Sequence, residues 1–304
     1  MRTVSLAERT SKVHVEDFGR PHVPGETLAG FLAKLPRFLA ASQLLEVADR
    51  VVAARRGGRP VIVGMGAHVI KVGLSPILID LMERGIVTAL AMNGAGIVHD
   101  YEIALAGRTS EDVDASLPEG RFGVTAETGE FLNAAIVRGH ARGLGLGEAV
   151  AEAMSEAELM HPAASLLLAT RRLGLSATVH VAIGTDVLHI HPRADGAAIG
   201  ATALRDFQRF CTAVTALDGG VYLNLGSAVV LPEVFLKAVT LARNQGHPLA
   251  DITTADLDFR AHYRPLTNVV RRPTEGHGRG FHVTGHHEIN VPLLAAAILE
   301  RSNR

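Results

Sequence analysis

Short apolar runs alternate along this chain with longer stretches in which apolar residues recur at helical spacing. Most of the runs stop at a glycine or an asparagine, which is typical of buried strands that lead into turns. The predicted strands lie at residues 60–63, 87–92, 177–183, 221–225 and 251–259. The first four are each followed by a stretch that predicts at least one helix.

The helical stretches are longer and carry their apolar residues three or four positions apart. They predict one or two helices over 28–56, and further helices over 73–84, from about 99 or 100 onward, and over 128–139, 148–160, 163–173, 197–216, 232–244 and 290–301. Residues 1–27 predict an irregular arm that packs on the body or on a neighbouring subunit. Residues 110–127 and 262–288 predict loops, the second rich in arginine, glycine and histidine.

This order of elements predicts the fold class. Strands that alternate with helices form a parallel sheet with crossover helices on both faces. We therefore expect an open three-layer α/β/α sandwich with a mainly parallel sheet. No linker is evident, so residues 1–304 are expected to form one domain, with an arm at 1–27 and the α/β body at 28–304. Ligands of such sheets bind at the carboxyl ends of the strands.

Composition narrows the class of protein. The formal net charge of −1 gives no reason to expect nucleic acid or an anionic membrane as a partner. A single cysteine, Cys211, is typical of a reducing compartment and, within an apolar helix, is expected to be a small buried side chain. No apolar run is long enough for a membrane span, and the first residues lack the apolar centre of a signal peptide. A cytoplasmic globular protein is expected.

Two predicted strands end in bends rich in small residues. They supply the candidate cofactor contacts Gly64, Gly66, Ala67, His68, Asn93, Gly94, Ala95 and Gly96. Backbone amides at such bends, with a helix start behind them, bind phosphate groups well. The first bend is not the GxGxxG fingerprint, and glycines needed only for the geometry of the turn are the alternative.

The segment VIVGMGAHVIKVGLSPILIDLMERGIVTALAMNGAGIVHDYEIAL resembles deoxyhypusine synthase and the bacterial deoxyhypusine-synthase-like proteins. Weaker similarity extends to Gly184-Thr185-Asp186, to Gly226-Ser227 and to the last helix. The resemblance implies a Rossmann-like NAD-binding fold, a three-layer α/β/α sandwich, and a homotetramer with sites between subunits. It also implies that Asp186, Gly226 and Ser227 contact the nucleotide, although a turn-forming role is the alternative for Asp186.

The chain departs from that family where its covalent chemistry resides. The stretch that matches the family's lysine motif is PLTNVVRRPTE, at residues 265–275, and it contains neither lysine nor tryptophan. The family's Lys-His-His falls on Leu231-Pro232-Glu233. Arginine stays protonated and does not replace a lysine nucleophile. Aminobutyl transfer of the deoxyhypusine or homospermidine type is therefore not favoured for this chain.

Several charged residues are candidates for the remaining chemistry. Lys71 follows the first bend and is expected to neutralise a phosphate, to form an imine in place of the missing lysine, or to be a solvated cation. By position, the resemblance implies that Asp100 or Glu102 contacts the amine substrate. The alternative for Asp100 is a role in capping the helix it begins.

The histidines are not explained by the resemblance. His189 and His191 share one side if their segment is extended. His282, His286 and His287 are candidates for a zinc or other transition-metal site, for a ligand contact or proton transfer, or for ordinary surface roles. The last two align where the family contacts its cofactor, so we place them among the catalytic candidates.

Three functional hypotheses follow. The first is a protein that binds NAD or a related nucleotide and acts on a small amine or other polar substrate without the lysine imine. The second is a metal-dependent hydrolase built on the histidine cluster. The third is a nucleotide-binding relative without catalytic activity.

Overall fold

The sheet has six strands, one more than the sequence predicts, and all neighbouring strands are parallel. The computed structural model describes residues 1–302. The strands are β1 (Val61–Met65), β2 (Ala89–Asn93), β3 (Ser176–His180), β4 (Val221–Leu225), β5 (Thr253–Asp258) and β6 (Arg279–Thr284). Their order across the sheet is β3-β2-β1-β4-β5-β6. The predicted class, a Rossmann-like sandwich with a parallel sheet, is confirmed.

Helices cover both faces of the sheet. They are α1 (Leu28–Leu32), α2 (Leu39–Arg56), α3 (His68–Lys71), α4 (Ser75–Glu83), α5 (Gly94–Ala106), α6 (Val113–Ser116), α7 (Ala126–Ala141), α8 (Leu146–Ser155), α9 (Leu166–Leu173), α10 (Gly196–Thr215), α11 (Val230–Asn244), the single turn α12 (Tyr263–Pro265) and α13 (His287–Ser302). Helices α2 and α13 pack together against one face, and α10 and α11 pack together on the other.

The alternation of side chains in β1 joins two separate cores. Val61, Val63 and Met65 belong to one buried cluster, and Ile62 belongs to the other. All five residues of β1 and of β4 are buried. This explains why the central strands appear in the sequence as nearly continuous apolar runs.

The chain order reverses between β1 and β4. From β1 the chain moves outward to β2 and β3, then returns to β4 and continues to β6. The carboxyl ends of β1 and β4 are direct neighbours, with Met65 paired to Leu225. This is the topological switch point at which open α/β sheets bind ligands.

Strand β6 lies inside the segment predicted as a loop, so that prediction is wrong for residues 279–284. It is an edge strand that buries only Phe281 and Val283, while its other residues stay at least partly exposed. A strand buried at alternate positions shows no apolar run, which is why the sequence pattern missed it. A π-helical turn at Leu266–Arg271 occupies another part of the same segment.

The helix after β2 begins at Gly94, not at residue 99 or 100. Asn93 is its N-cap, and its side-chain oxygen accepts a hydrogen bond from the amide of Gly96 over 3.1 Å. The small residues of this bend are therefore the first helical turn. Glycine predicts a loop in a sequence window, but a capped helix start tolerates it.

Within residues 1–302, no helix combines the length and the apolar character needed to cross a bilayer. Residues 1–27 form two short 3-10 turns, at Leu6–Glu8 and Val15–Asp17, without longer elements. Nearly every side chain of this arm is exposed.

Candidate functional site

Both small-residue bends lie at the same edge of the sheet. Asn93 and Met65 end neighbouring parallel strands, because β1 pairs with β2 from Ile62–Ala89 to Met65–Met92. The bend after β1 also touches the bend after β4. The amide of Gly66 donates to the carbonyl of Leu225 over 3.0 Å, and a Cβ on Gly66 would lie 2.5 Å from the carbonyl oxygen of Gly226.

Gly64 has a packing role that the sequence did not predict. It is a buried residue inside β1, and a Cβ added to it would lie 2.1 Å from the phenol oxygen of Tyr222. The missing side chain makes room for the ring of Tyr222, which stacks on Phe235 with ring centroids 3.8 Å apart. This packing explains the glycine without a ligand, and the cofactor contact expected for Gly64 stays a prediction.

The glycines of the second bend are likewise explained by close contacts. A Cβ on Gly94 would lie 2.1 Å from a carboxylate oxygen of Asp186, and one on Gly96 would lie 2.8 Å from the sulfur of Met92. Gly226 has a positive φ of 64° and lies beneath the ring of His287. Ser227 is buried, and its hydroxyl accepts from the amide of Leu231 in the first turn of α11. None of these three glycines lines the cavity at this edge of the sheet, and neither does Ser227.

A cavity of about 640 Å³ opens at this edge, beside the second bend. Its walls are α5, the start of α7, the loop between them, and the turn that follows β3. Four of the predicted site residues line it, namely Lys71, Ala95, Glu102 and Asp186, and His99 lines it beside them. The volume lies within the range of sites for cofactors and small molecules.

A chain of polar side chains crosses one wall of the cavity. Nδ1 of His99 lies 2.6 Å from the hydroxyl of Thr109, which donates to Glu102 Oε2 over 2.5 Å. The other carboxylate oxygen of Glu102 accepts from the hydroxyl of Thr128 over 2.9 Å. Two hydroxyl donors thus hold the carboxylate of Glu102 in one orientation.

His99 is neutral at ordinary pH. Burial, together with the positive charge of Lys71, lowers its pKa to about 4. Its side chain keeps 13 % of its surface exposed. An imidazole in this state accepts or donates hydrogen bonds without carrying a charge.

Asp186 brings a second polar group to the cavity. It is 7 % exposed, and its Oδ2 is a buried atom without a hydrogen-bond partner among the described residues. The carboxylate rests against the first turn of α5, where the amide of Ala95 stabilises its charged form, but burial dominates and raises its pKa. The buried Oδ2 is covered by Gly94 of α5, where a Cβ would lie 2.1 Å from it, so Asp186 takes part in the lining through the rest of its side chain and its turn.

Asp100 does not line the cavity, although Glu102 does. It is fully buried and accepts from the hydroxyl of Ser165 and from the amides of Leu166 and Leu167, over 2.6, 2.7 and 3.2 Å. Asp100 thus caps α9, not its own helix. Burial raises its pKa to about 6 against the opposing effect of these hydrogen bonds. The structure gives Asp100 a structural role in place of the expected substrate contact.

A second group of ring side chains lies at the same edge near the switch point. His68 lies 5.8 Å from Phe259 and 5.3 Å from His287, and His286 is parallel to Phe259 at 6.3 Å between ring centroids. His287 is buried and donates from Nε2 to the carbonyl of Leu257. Burial lowers the pKa of His68, and His287 lowers it further. Ala67 is buried beside them.

The histidines do not converge on a metal site. Both ring nitrogens of His282 are hydrogen bonded, Nδ1 to Asp256 over 2.8 Å and Nε2 to Thr284 over 2.9 Å. His286 is exposed, and His287 donates a hydrogen bond to a backbone carbonyl. Throughout residues 1–302, no three His, Cys, Asp or Glu side chains are grouped so as to hold a metal ion. The histidine spacing in the sequence therefore predicted ligands that the fold does not assemble.

His189 and His191 do not share one side of an extended strand, because Val187–Ile190 forms a 3-10 turn. Nδ1 of His189 accepts from the amides of Gly184 and Asp186 and so shapes the turn that carries Asp186. The ring of His191 packs on Gly129 of α7.

Sequence reasoning missed Thr109 and Thr128 as members of the site. Both lie in or beside the polar connection 110–127, which has no periodic pattern. Their only signal is the position of that connection directly after the helix carrying His99 and Glu102. Polar loops at the carboxyl ends of strands carry binding residues more often than loops elsewhere.

Comparison with solved structures supports the fold. The chain is similar to a "putative deoxyhypusine synthase" from Entamoeba histolytica, with a TM-score of 0.52 and 9% identity over 93% of this chain and 97% of that chain. It is also similar to a "conserved putative LOR/SDH protein" from Methanococcus maripaludis S2, with a TM-score of 0.52, 16% identity, and coverage of 86% of this chain and 70% of that one.

A third similar structure contains ligands. It is the ternary complex of AgrE with ornithine and NAD+, with a TM-score of 0.56, 16% identity, and coverage of 86% of this chain. The chain spans only 33% of the length of AgrE. No protein-family model and no curated protein matches the chain. The resemblance to deoxyhypusine synthase predicted from the sequence is confirmed, at the level of the fold.

Proposed function

We propose that this chain binds NAD or a related nucleotide at the carboxyl edge of its sheet and acts there on a small amine or another polar molecule. The observation that carries the proposal is the cavity beside the second bend, which brings Lys71, His99, Glu102 and Asp186 together at the strand ends. The AgrE complex with ornithine and NAD+ supports it, because a longer chain that contains a region of similar fold binds this pair of ligands.

The residues present fit such a ligand. Lys71 supplies a positive charge for a phosphate or carboxylate, and the carboxylates of Glu102 and Asp186 in the same lining are acceptors for a ribose hydroxyl or an ammonium group. Four acidic residues line the cavity (Glu102, Glu111, Glu127 and Asp186) against two basic ones (Lys71 and Arg108). This excess of negative charge favours a cationic group on the second ligand. NAD, when bound, supplies hydride acceptance.

Within this proposal the chain's own residues orient the ligands and exchange a proton. Glu102 is held by two threonine hydroxyls and sets the position of Thr109 and His99. His99 is the neutral group next to the ligand. Lys71 lines the cavity and is the remaining candidate to form an imine in place of the family's lysine nucleophile. His286 and His287 lie outside the cavity and carry no step.

The first test identifies the ligand. Small molecules released from natively purified protein are analysed by mass spectrometry, and NADH is titrated by its own fluorescence, which a chain without tryptophan leaves undisturbed. We expect a released nucleotide or saturable NADH binding. The proposal is contradicted if no nucleotide is released and NADH does not bind.

The second test asks whether Glu102 matters for turnover. On an amine panel with NAD+, Glu102→Gln is expected to lower kcat/KM by roughly 10²-fold, the usual contribution of a proton-transfer system. Glu158→Gln is the matched control, because Glu158 is exposed and lies outside the cavity lining. NADH binding without turnover on the whole panel favours the non-catalytic alternative.

A further inference from the structure

The hydrogen bonds around Thr109 determine which nitrogen of His99 carries the proton. A threonine hydroxyl has one hydrogen to donate. Thr109 is placed to donate it to Glu102, because an ionised carboxylate only accepts hydrogen bonds. The hydroxyl oxygen of Thr109 then accepts from Nδ1 of His99, 2.6 Å away. The proton of His99 is therefore on Nδ1.

The other carboxylate oxygen of Glu102 supports the same assignment. It accepts from the hydroxyl of Thr128, so both oxygens of Glu102 face hydroxyl donors. Glu102 therefore acts only as an acceptor in this row of hydrogen bonds. The direction of donation is the same throughout, from His99 to Thr109 to Glu102.

We propose that this chain of donors fixes His99 as the Nδ1–H tautomer, so that its Nε2 presents a lone pair to the cavity as an acceptor for a hydroxyl or N–H group of the ligand. His99 lines the cavity, and its Nε2 has no hydrogen-bond partner among residues 1–302. Thr109 and Glu102 act as positioning residues, and His99 is the group that touches the ligand. Only the identity of the ligand rests on the proposed function.

The same direction of donation determines how a proton moves during a reaction. When the ligand's hydroxyl or N–H group loses its hydrogen, the proton moves to Nε2 of His99 and the bonding electron pair stays on the ligand atom. The resulting imidazolium keeps its Nδ1–H bond to Thr109, and the negative charge of Glu102 lies one hydroxyl away. The proton then leaves from Nε2 to water at the cavity opening.

The first experiment reads the tautomer without any ligand. The full chain is labelled with ¹⁵N-histidine, and long-range ¹H–¹⁵N correlations are recorded at pH 7; His99→Gln identifies the signal among the 15 histidines. We expect the Nδ1–H form for His99. Thr109→Val should abolish it, and Thr109→Ser, which keeps the hydroxyl, should restore it. An Nε2–H form in the native chain, or one tautomer in all three proteins, overturns the proposal.

The second experiment asks whether Nε2 faces the cavity. Diethyl pyrocarbonate acylates unprotonated, accessible imidazole nitrogens, and mass spectrometry locates the adduct. We expect acylation of His99 at pH 6 and a slower reaction in Thr109→Val, in which less of the imidazole has an unprotonated Nε2. His180 is the internal control, because burial lowers its pKa to about 4 as well, while its Nε2 is buried against the hydroxyl of Thr178. Equal protection of His99 and His180 contradicts an open Nε2.

These outcomes are independent of the nucleotide. If NADH does not bind but the tautomer and the acylation are as expected, the proposed cofactor is wrong and the acceptor site stands. If NADH binds but does not protect His99 from acylation, and His99 is the Nε2–H tautomer, the acceptor site is wrong and the nucleotide proposal stands.

Discussion

At the scale of single residues, the glycines show how a sequence motif acquires a different meaning in the fold. Gly64, Gly94 and Gly96 each leave room for a side chain of this chain: Tyr222, Asp186 and Met92 respectively. A glycine before or after a strand end predicts either a ligand contact or a packing contact. Only the neighbour in space distinguishes them, and that neighbour lies far away in the sequence for Gly64 and Gly94.

The packing role of Gly64 leads to a stability prediction. Gly64→Ala places a Cβ against the phenol oxygen of Tyr222, so we expect a loss of about 1–3 kcal/mol in the free energy of unfolding. Denaturant unfolding measures it. Combining Gly64→Ala with Tyr222→Phe should recover part of the loss, because the buried hydroxyl of Tyr222 has no partner.

Gly200→Ala is the matched control. Gly200 lies inside α10, and a Cβ there meets nothing within 4 Å. We expect this substitution to stabilise the protein by roughly 0.5–1 kcal/mol, since glycine is unfavourable inside a helix. Equal destabilisation by both substitutions contradicts a specific contact at Gly64.

At the scale of the elements, Asp100 links two helices that are distant in the sequence. Asp100→Ala removes three hydrogen bonds at the start of α9 and leaves buried amides without acceptors. We expect a loss of about 1.5–3 kcal/mol in the free energy of unfolding, with NADH affinity unchanged. Asp112→Ala is the control, because Asp112 caps the short exposed helix α6 and is expected to cost under about 1 kcal/mol.

The burial of Asp100 also predicts a pH dependence. Burial raises its folded-state pKa to about 6, above its ordinary value of 3.8. The folded state therefore holds the proton more tightly, and this contribution to stability is full below pH 3.8 and is lost as the pH rises through 6. We expect the stability of the native chain, relative to Asp100→Asn, to fall between pH 4 and 6 and to stay constant above. A rise over that interval would contradict the assignment.

The elements also show the limits of pattern reading. Strands β1, β2, β3, β4 and β5 and the long helices are apolar enough to be predicted within a few residues. Strand β6 was missed because it buries only two side chains at the sheet edge. The start of α5 was misplaced because Asn93 caps a turn of small residues that resembles a loop. The first error occurs where burial at alternate positions determines the element, and the second where a side-chain cap does.

At the scale of the whole molecule, the N-terminal arm is the main exposed apolar surface. Val4, Leu6, Val15 and Phe18 are each more than half exposed. The later part of the arm is tied to the body, since the amide of Arg37 donates to the carbonyl of Asp17. The first part makes only local hydrogen bonds. Apolar side chains arranged in this way are typical of a segment that packs on another subunit.

This surface predicts the behaviour of a truncated chain. We expect the full chain to sediment as an oligomer, and a variant lacking residues 1–13 to sediment as a smaller species in analytical ultracentrifugation. Leu6→Ser with Val15→Ser should act in the same direction. Val137→Ser is the control, because Val137 is an exposed apolar residue elsewhere, on α7. A monomeric full chain would contradict the homo-oligomer implied by the resemblance.

The sequence alone was enough to predict the parallel sheet, the helices on both its faces and the edge at which the small-residue bends lie, because burial on both faces produces local apolar patterns. The tertiary structure decided which polar groups meet there. His99, Thr109, Thr128 and Asp186 come from four separate segments, and their contacts depend on how α5, α7 and the turn after β3 pack. A hydrogen bond acts over about 3 Å of space, whatever the distance along the chain.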